Sequence, residues 1–99
     1  MSYTIERLIL EIRSSLPDDY VIRSKDDALI KAAFTAEELG EVVRAISRGS
    51  DREVVKECAD TIVGLLQIID YYNEDDVSGI DSAFGETLNR LKSRKNGDP

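Results

Sequence analysis

Carboxylates in two short stretches of the chain have the spacing of a metal site. Glu38 and Glu41 lie three residues apart, as do Glu57 and Asp60, so each pair projects from one face of a helix. Gly49 lies eight residues from both Glu41 and Glu57, and eleven from both Glu38 and Asp60. If the chain reverses at Gly49, an antiparallel pair of helices brings the acids level, roughly 12 to 17 Å from the turn. The spacing therefore predicts that four carboxylates converge.

Apolar residues surround these acids on a helical wheel. The neighbours are Phe34, Val42 and Ala45 around Glu38, and Val54, Gly64 and Ile68 around Asp60. Desolvating a carboxylate in such surroundings costs several kcal/mol unless it is protonated, paired or bound to a cation. The chain has no histidine, which disfavours zinc and a ferritin-like di-iron site, whereas oxygen ligands suit Mg²⁺, with Mn²⁺ as a substitute. Because Mg²⁺ often shares its shell with substrate phosphates, the acids suggest phosphate chemistry.

The apolar periodicity predicts four helices and no sheet. The predicted helices cover Ile5 to Leu16, Ser24 to about Ser47, Ser50 to about Tyr72, and a fourth marked by Ile80, Phe84, Leu88 and Leu91. Ser24 and Ser50 each have the form of an N-cap with an acidic residue three positions later. In the second case that residue is Glu53, so we assign it to the cap and not to the metal. The apolar stretch at residues 20–22 has no second strand to pair with, and we interpret it as a connector.

The face of the second helix that packs is predicted separately from the face that carries the acids. The predicted packing stripe is Leu29, Ala32, Ala36, Leu39, Val43 and Ile46. The third helix has apolar residues on more than one face, which is typical of a helix covered partly by another subunit. We therefore expect residues 1–99 to form a single all-α domain of about four helices. Its two central antiparallel helices carry the acidic motifs, and a homodimer or homotetramer completes it.

The charge of the chain narrows the class of partners. Thirteen Lys and Arg stand against twenty Asp and Glu, a net charge of −7, which disfavours a nucleic-acid polymer or an anionic membrane as the partner. Charged residues interrupt the N-terminal segment, unlike a signal peptide, and no stretch reaches spanning length. Cys58 is the one cysteine, so there is no intrachain disulfide. We expect a cytoplasmic protein.

The two acidic motifs resemble those of a known family. Residues 36–42, Ala-Glu-Glu-Leu-Gly-Glu-Val, followed by Glu-Cys-Ala-Asp at 57–60, are similar to the motifs of MazG-like nucleoside triphosphate pyrophosphohydrolases, in the all-α NTP pyrophosphatase superfamily. The resemblance extends from about Leu29 to Arg94. It implies Mg²⁺-dependent hydrolysis of a nucleoside triphosphate to the monophosphate and pyrophosphate, as a clearance of unwanted nucleotides.

The resemblance also implies roles for individual residues. The Mg²⁺ ligands would be Glu38, Glu41, Glu57 and Asp60, and Glu37 or Glu41 would accept the proton of the attacking water. A basic residue late in the chain would bind the triphosphate, and here the candidates are Lys92, then Arg94 and Lys95. Many relatives have a lysine just before the first motif, where this chain has Thr35 and Ala36. Lys31, about two turns before Glu38, is the candidate replacement.

Two other functions stay open. Phosphoribosyl-ATP pyrophosphohydrolase of histidine biosynthesis has a similar second motif, but the lysines before its first motif and the histidine after its second are missing here. A helical interaction module without catalysis would use the same acids as a binding surface. Base and sugar preference, the number of metal ions, the choice between dimer and tetramer, and the sharing of sites between subunits are also open.

Overall fold

The fold is all-α, as the sequence predicts. The computed structural model describes residues 2–73 and 77–97, and these contain no strand. The helices are α1 (Ile5–Ser15), α2 (Lys25–Arg48), α3 (Asp51–Asn73) and α4 (Val77–Lys95), with a 3-10 turn (Asp18–Tyr20) between α1 and α2. Both predicted N-caps are present: the Ser24 hydroxyl accepts from the Asp27 N–H at 3.1 Å, and the Ser50 hydroxyl accepts from the Glu53 N–H at 3.2 Å. Residues 20–22 lie in the segment between α1 and α2, as expected, and we call the whole of residues 16–24 the connector.

Helices α2 and α3 form the antiparallel hairpin around which the other elements pack. Small residues make the seam: the buried positions of α2 are Ala28, Thr35, Val42 and Ala45. At Gly64 of α3 a Cβ atom would lie only 2.4 Å from Thr35 Oγ1, so the Thr35 side chain packs directly against the backbone of α3 there. The predicted packing stripe of α2 is therefore wrong for a single chain. Its large members, among them Leu39 and Val43, are exposed, because this seam has room only for small side chains.

Helix α1 packs against α3 at the end of the hairpin opposite the turn. Ile9 of α1, Leu66 of α3 and Ile80 of α4 make the small buried core. Arg13 donates two hydrogen bonds, of 2.8 and 2.5 Å, to the carboxylate of Asp70, which anchors α1 to α3. Beyond Ile80, α4 has no buried residue within the described range, so it leaves the core after its first turn.

The hairpin has two unlike faces, which lie to either side of its seam. On one side Glu41 of α2 and Glu57 of α3 line a common groove, and we call this the acidic face. The other side we call the apolar face, and its members are 49% to 69% exposed: Leu29, Leu39, Val43, Ile46, Val55, Ile62 and Leu65. No helix in the described ranges is both long enough and apolar enough to cross a membrane. An apolar face of this extent on a small domain typically marks an interaction surface.

Candidate active site

A groove between the connector and α2 contains the first acidic motif. We call it the connector groove; its volume is about 640 Å³, within the range of small-molecule sites. The connector lines one side with residues 19–22, and α2 lines the other from Asp27 to Glu41. Glu37, Glu38 and Glu41 all face this groove, so the predicted acidic run does project from one face of α2 into a concave surface.

The contact between Thr35 and Gly64 defines how α2 lies against α3. Each residue advances the chain by about 1.5 Å along the axis of either helix of the hairpin. Equal steps from this contact toward the turn bring two pairs within one residue of the same level: Glu38 with Asp60, and Glu41 with Glu57. The register agrees to within one residue with the one that the position of Gly49 predicts.

A second concave surface, next to the hairpin turn, brings the two motifs together. We call it the turn groove; it has a volume of about 250 Å³, and both Glu41 and Glu57 line it. Glu57 is partly shielded there, with 24% of its side chain exposed. Because Glu41 lines both grooves, they meet at this residue. Arg44 and Arg48 complete the turn groove on the α2 side.

Basic side chains of the same helices hold three of the four acids. Arg44 forms a two-point ion pair with Glu41; its Nε donates at 3.2 Å and its terminal nitrogen donates to the other carboxylate oxygen. This hydrogen bond lowers the pKa of Glu41 and raises the pKa of Arg44. On α3, Lys56 donates to Asp60 at 3.4 Å and lies 3.7 Å from Glu57, and the bond to Asp60 is the main cause of its raised pKa. Each of the two helices thus supplies a cation that pairs with its own acids.

The donor set fits a hard divalent cation in its chemistry. All four predicted ligands offer oxygen atoms, and half-buried Glu38 has no ion pair among the described residues. Within residues 2–73 and 77–97, however, no three Asp, Glu or Cys side chains are gathered closely enough to hold a metal ion. Binding one would require Arg44 and Lys56 to release their acids. The ligation by Glu38, Glu41, Glu57 and Asp60 stays a prediction.

The four candidate phosphate-binding residues lie in different places, Lys31 on α2 and Lys92, Arg94 and Lys95 on α4. Lys31 lines the connector groove, is half-buried and makes no ion pair with the described residues, so its ammonium group is available to an anion. Lys92 and Arg94 are exposed near the end of α4, after that helix has left the core. Neither Lys92 nor Arg94 lines the connector groove or the turn groove, and their binding of phosphate stays a prediction.

The sequence pattern did not indicate several residues that lie near the acids. Arg44 and Arg48 follow Glu41 by three and seven residues, and this helical spacing was the available signal. Phe34 was assigned only as an apolar neighbour of Glu38, although its ring is 56% exposed and faces the connector groove. The contribution of connector residues 19–22 had no signal, since only the tertiary fold lays them beside α2.

These features define a helical protein whose central hairpin presents acidic motifs beside a ligand-sized groove. The chain belongs to the family of the MazG nucleotide pyrophosphohydrolase domain, whose family model matches residues 27–97. The match includes nearly all of α2 and the whole of α3 and α4, and it confirms the resemblance seen in the acidic motifs. No curated protein and no solved structure matches the chain. Membership implies a nucleotide pyrophosphohydrolase in general terms.

Proposed function

We propose that the protein hydrolyses a nucleoside triphosphate to the monophosphate and pyrophosphate with Mg²⁺, acting on free nucleotides of the cytoplasm. One observation carries the proposal. In a chain of the MazG family, Glu41 and Glu57 of adjacent helices line the turn groove, and Glu37, Glu38 and Glu41 line the adjoining groove of about 640 Å³. Mn²⁺ is the expected substitute for Mg²⁺, because both prefer oxygen ligands.

Different residues of this chain would bind the metal ion, accept the proton of the attacking water and bind the phosphates. Mg²⁺, when bound by the four acids, supplies the positive charge that offsets the phosphate oxygens. Glu37 or Glu41 accepts the proton of the attacking water, since both carboxylates face the groove. The bond from Arg44 lowers the pKa of Glu41, so this carboxylate is already ionised when the cation takes the place of Arg44. Lys31 binds a phosphate oxygen from the connector side.

A panel of nucleotides tests the proposed activity. With Mg²⁺, we expect pyrophosphate release from at least one NTP or dNTP and no release when EDTA is present. Mg²⁺ alone is expected to raise the melting temperature, because a ligand at 100 times its Kd stabilises the folded state by about 2.7 kcal/mol. Phosphoribosyl-ATP belongs in the same panel: turnover of it alone would favour the histidine-pathway alternative. No turnover together with no Mg²⁺ stabilisation would favour the interaction module.

We also propose that the apolar face pairs with a second copy of the chain. The hairpin is only two helices thick, and its large aliphatic side chains point away from its own seam. Two apolar faces brought together by a twofold axis would bury each other in a four-helix core, and such self-complementary pairing is the commonest route to a homodimer. The acidic face stays open in this arrangement because it lies on the other side of the seam.

A single charge placed on the apolar face tests the dimer. Val43→Glu is expected to convert the protein to a monomer in sedimentation equilibrium, because a carboxylate buried in the interface would lack a partner. Tyr3→Glu is the matched control: Tyr3 is 54% exposed but lies before α1, so its variant should stay dimeric. A wild-type protein that sediments as a monomer at micromolar concentration would contradict the pairing.

A further inference from the structure

The two grooves meet at Glu41 and differ in chemistry at their far ends. In the connector groove, Tyr20, Ile30 and Phe34 expose 56% to 62% of their surface. Large apolar side chains that face a groove and stay exposed are available to a flat apolar ligand. The turn groove has no aromatic residue, and Arg44 and Arg48 are its basic members.

Helical spacing places these features in a line. Phe34, Glu41 and Arg48 are seven residues apart in turn, which is about two turns of helix and about 10 Å for each interval. Residues at this spacing lie on one face. An elongated molecule along α2 would therefore touch an aromatic ring, then carboxylates, then a guanidinium group.

A nucleoside triphosphate has the same order of chemistry along its length. Its base has a π-face that stacks on aromatic side chains, and its terminal phosphates suit the guanidinium groups of arginine. We infer that the nucleoside occupies the connector groove against Phe34 and Tyr20, while the leaving pyrophosphate lies in the turn groove with Arg44 and Arg48. The inference rests on the proposed function, and it adds the direction in which the substrate lies.

The reverse direction is disfavoured at both ends. Five carboxylates line the connector groove with Lys31 as its one lysine, whereas the turn groove has three carboxylates, those of Glu41, Glu53 and Glu57, and two arginines. A pyrophosphate group would therefore meet less net negative charge in the turn groove. In the turn groove, Ala45 and Gly49 are the apolar members, and neither offers a surface on which a base can stack.

Arg44 is already positioned for this role. Its guanidinium group donates to Glu41, and both residues line the turn groove. Both side chains of the pair are about half exposed, so a rotation of Arg44 can carry its donors from Glu41 to a phosphate. Arg48 makes no ion pair with the described residues, which leaves its donors available.

Product binding, measured by titration calorimetry with Mg²⁺, tests the direction without turnover. The probes are the nucleoside monophosphates AMP, GMP, CMP and UMP, and inorganic pyrophosphate. Phe34→Ala is expected to weaken the tightest monophosphate about tenfold and to leave pyrophosphate within about twofold. Arg48→Ala is expected to weaken pyrophosphate binding about tenfold and to leave the monophosphate within about twofold. Tyr20→Ala, a second change in the connector groove, should follow Phe34→Ala.

Two substitutions on α4 serve as matched controls. Phe84→Ala and Arg90→Ala change the same residue types at exposed positions outside both grooves, and neither should alter the binding of either product. An inverted pattern, an equal loss of both products in each variant, or an active wild-type protein that binds no monophosphate would overturn the inference. Failure of the proposed function is a separate result, because it appears in the wild-type protein as no Mg²⁺-dependent pyrophosphate release.

Discussion

Glu38→Gln and Asp60→Asn are each expected to lower kcat by about 100-fold or more. Each change keeps the shape of the side chain but removes the negative charge of a predicted Mg²⁺ ligand, and even changes in the partners of a ligand typically cost 10–100-fold. The same variants should lose the rise in melting temperature that Mg²⁺ produces. Pyrophosphate release and thermal unfolding across a Mg²⁺ titration measure the two effects.

Unfolding without Mg²⁺ separates a lost ligand from a lost fold. Glu38 is half-buried and has no ion pair among the described residues, so its neutral replacement should unfold at the same temperature or higher. Glu86→Gln is the matched control because Glu86 is exposed on α4, and it should keep both kcat and Mg²⁺ stabilisation. Full activity in Glu38→Gln, or unchanged Mg²⁺ stabilisation in both site variants, would remove these acids from the metal site.

The hairpin and its register could be predicted because local signals agree with the tertiary fold. The sequence predicts N-caps at Ser24 and Ser50 and a helix end at Gly49, and the structure has all three at these residues. Once the turn is known, counting residues outward from it gives the level of each acid. The contact between Thr35 and Gly64 differs from this count by one residue.

The packing face of α2 could not be predicted from hydrophobicity. Large aliphatic residues such as Leu39 and Val43 look like core residues on a helical wheel, yet the seam is made by smaller ones such as Ala28 and Thr35. Pattern alone shows which residues avoid water, and it does not show whether a helix of the same chain or a second copy covers them. The apolar face is the part of the predicted core that a single chain leaves exposed.

The candidate site was predicted only in part for a similar reason. The acids recur at a fixed spacing along two helices, so their faces follow from geometry. The ion pairs that Arg44 and Lys56 make with these acids depend on side-chain rotamers, which the sequence does not give. The connector lies beside α2 only because of a tertiary contact. Lys92 was assigned from the family pattern, and no local signal in this chain fixes where its exposed side chain lies relative to the acids.

Gly64→Ala is expected to destabilise the protein although alanine favours a helix. A Cβ atom at Gly64 would lie 2.4 Å from Thr35 Oγ1 and 3.3 Å from its Cγ2, closer than packed atoms tolerate. Thr35 has little freedom to move, because it is 5% exposed and its hydroxyl donates to the Lys31 carbonyl at 2.8 Å. Overpacking of this kind costs roughly 1–3 kcal/mol, against a gain in helix propensity of about 1 kcal/mol. Each net kcal/mol should lower the melting temperature by about 4–8 °C in calorimetry.

A second substitution shows whether the close approach of the helices is the cause. Thr35→Ala removes the two nearest atoms that the new Cβ would meet and leaves only an ordinary contact with the Thr35 Cβ at 3.4 Å. The double variant should therefore melt above Gly64→Ala, with a coupling of about 0.5–3 kcal/mol. Gly85→Ala is the matched control: no atom lies within 4 Å of its added Cβ, and the variant should be as stable as the wild type or more so. If Gly64→Ala melts as Gly85→Ala does, the helices have room to separate. The level of Glu38 against Asp60 would then not depend on this seam.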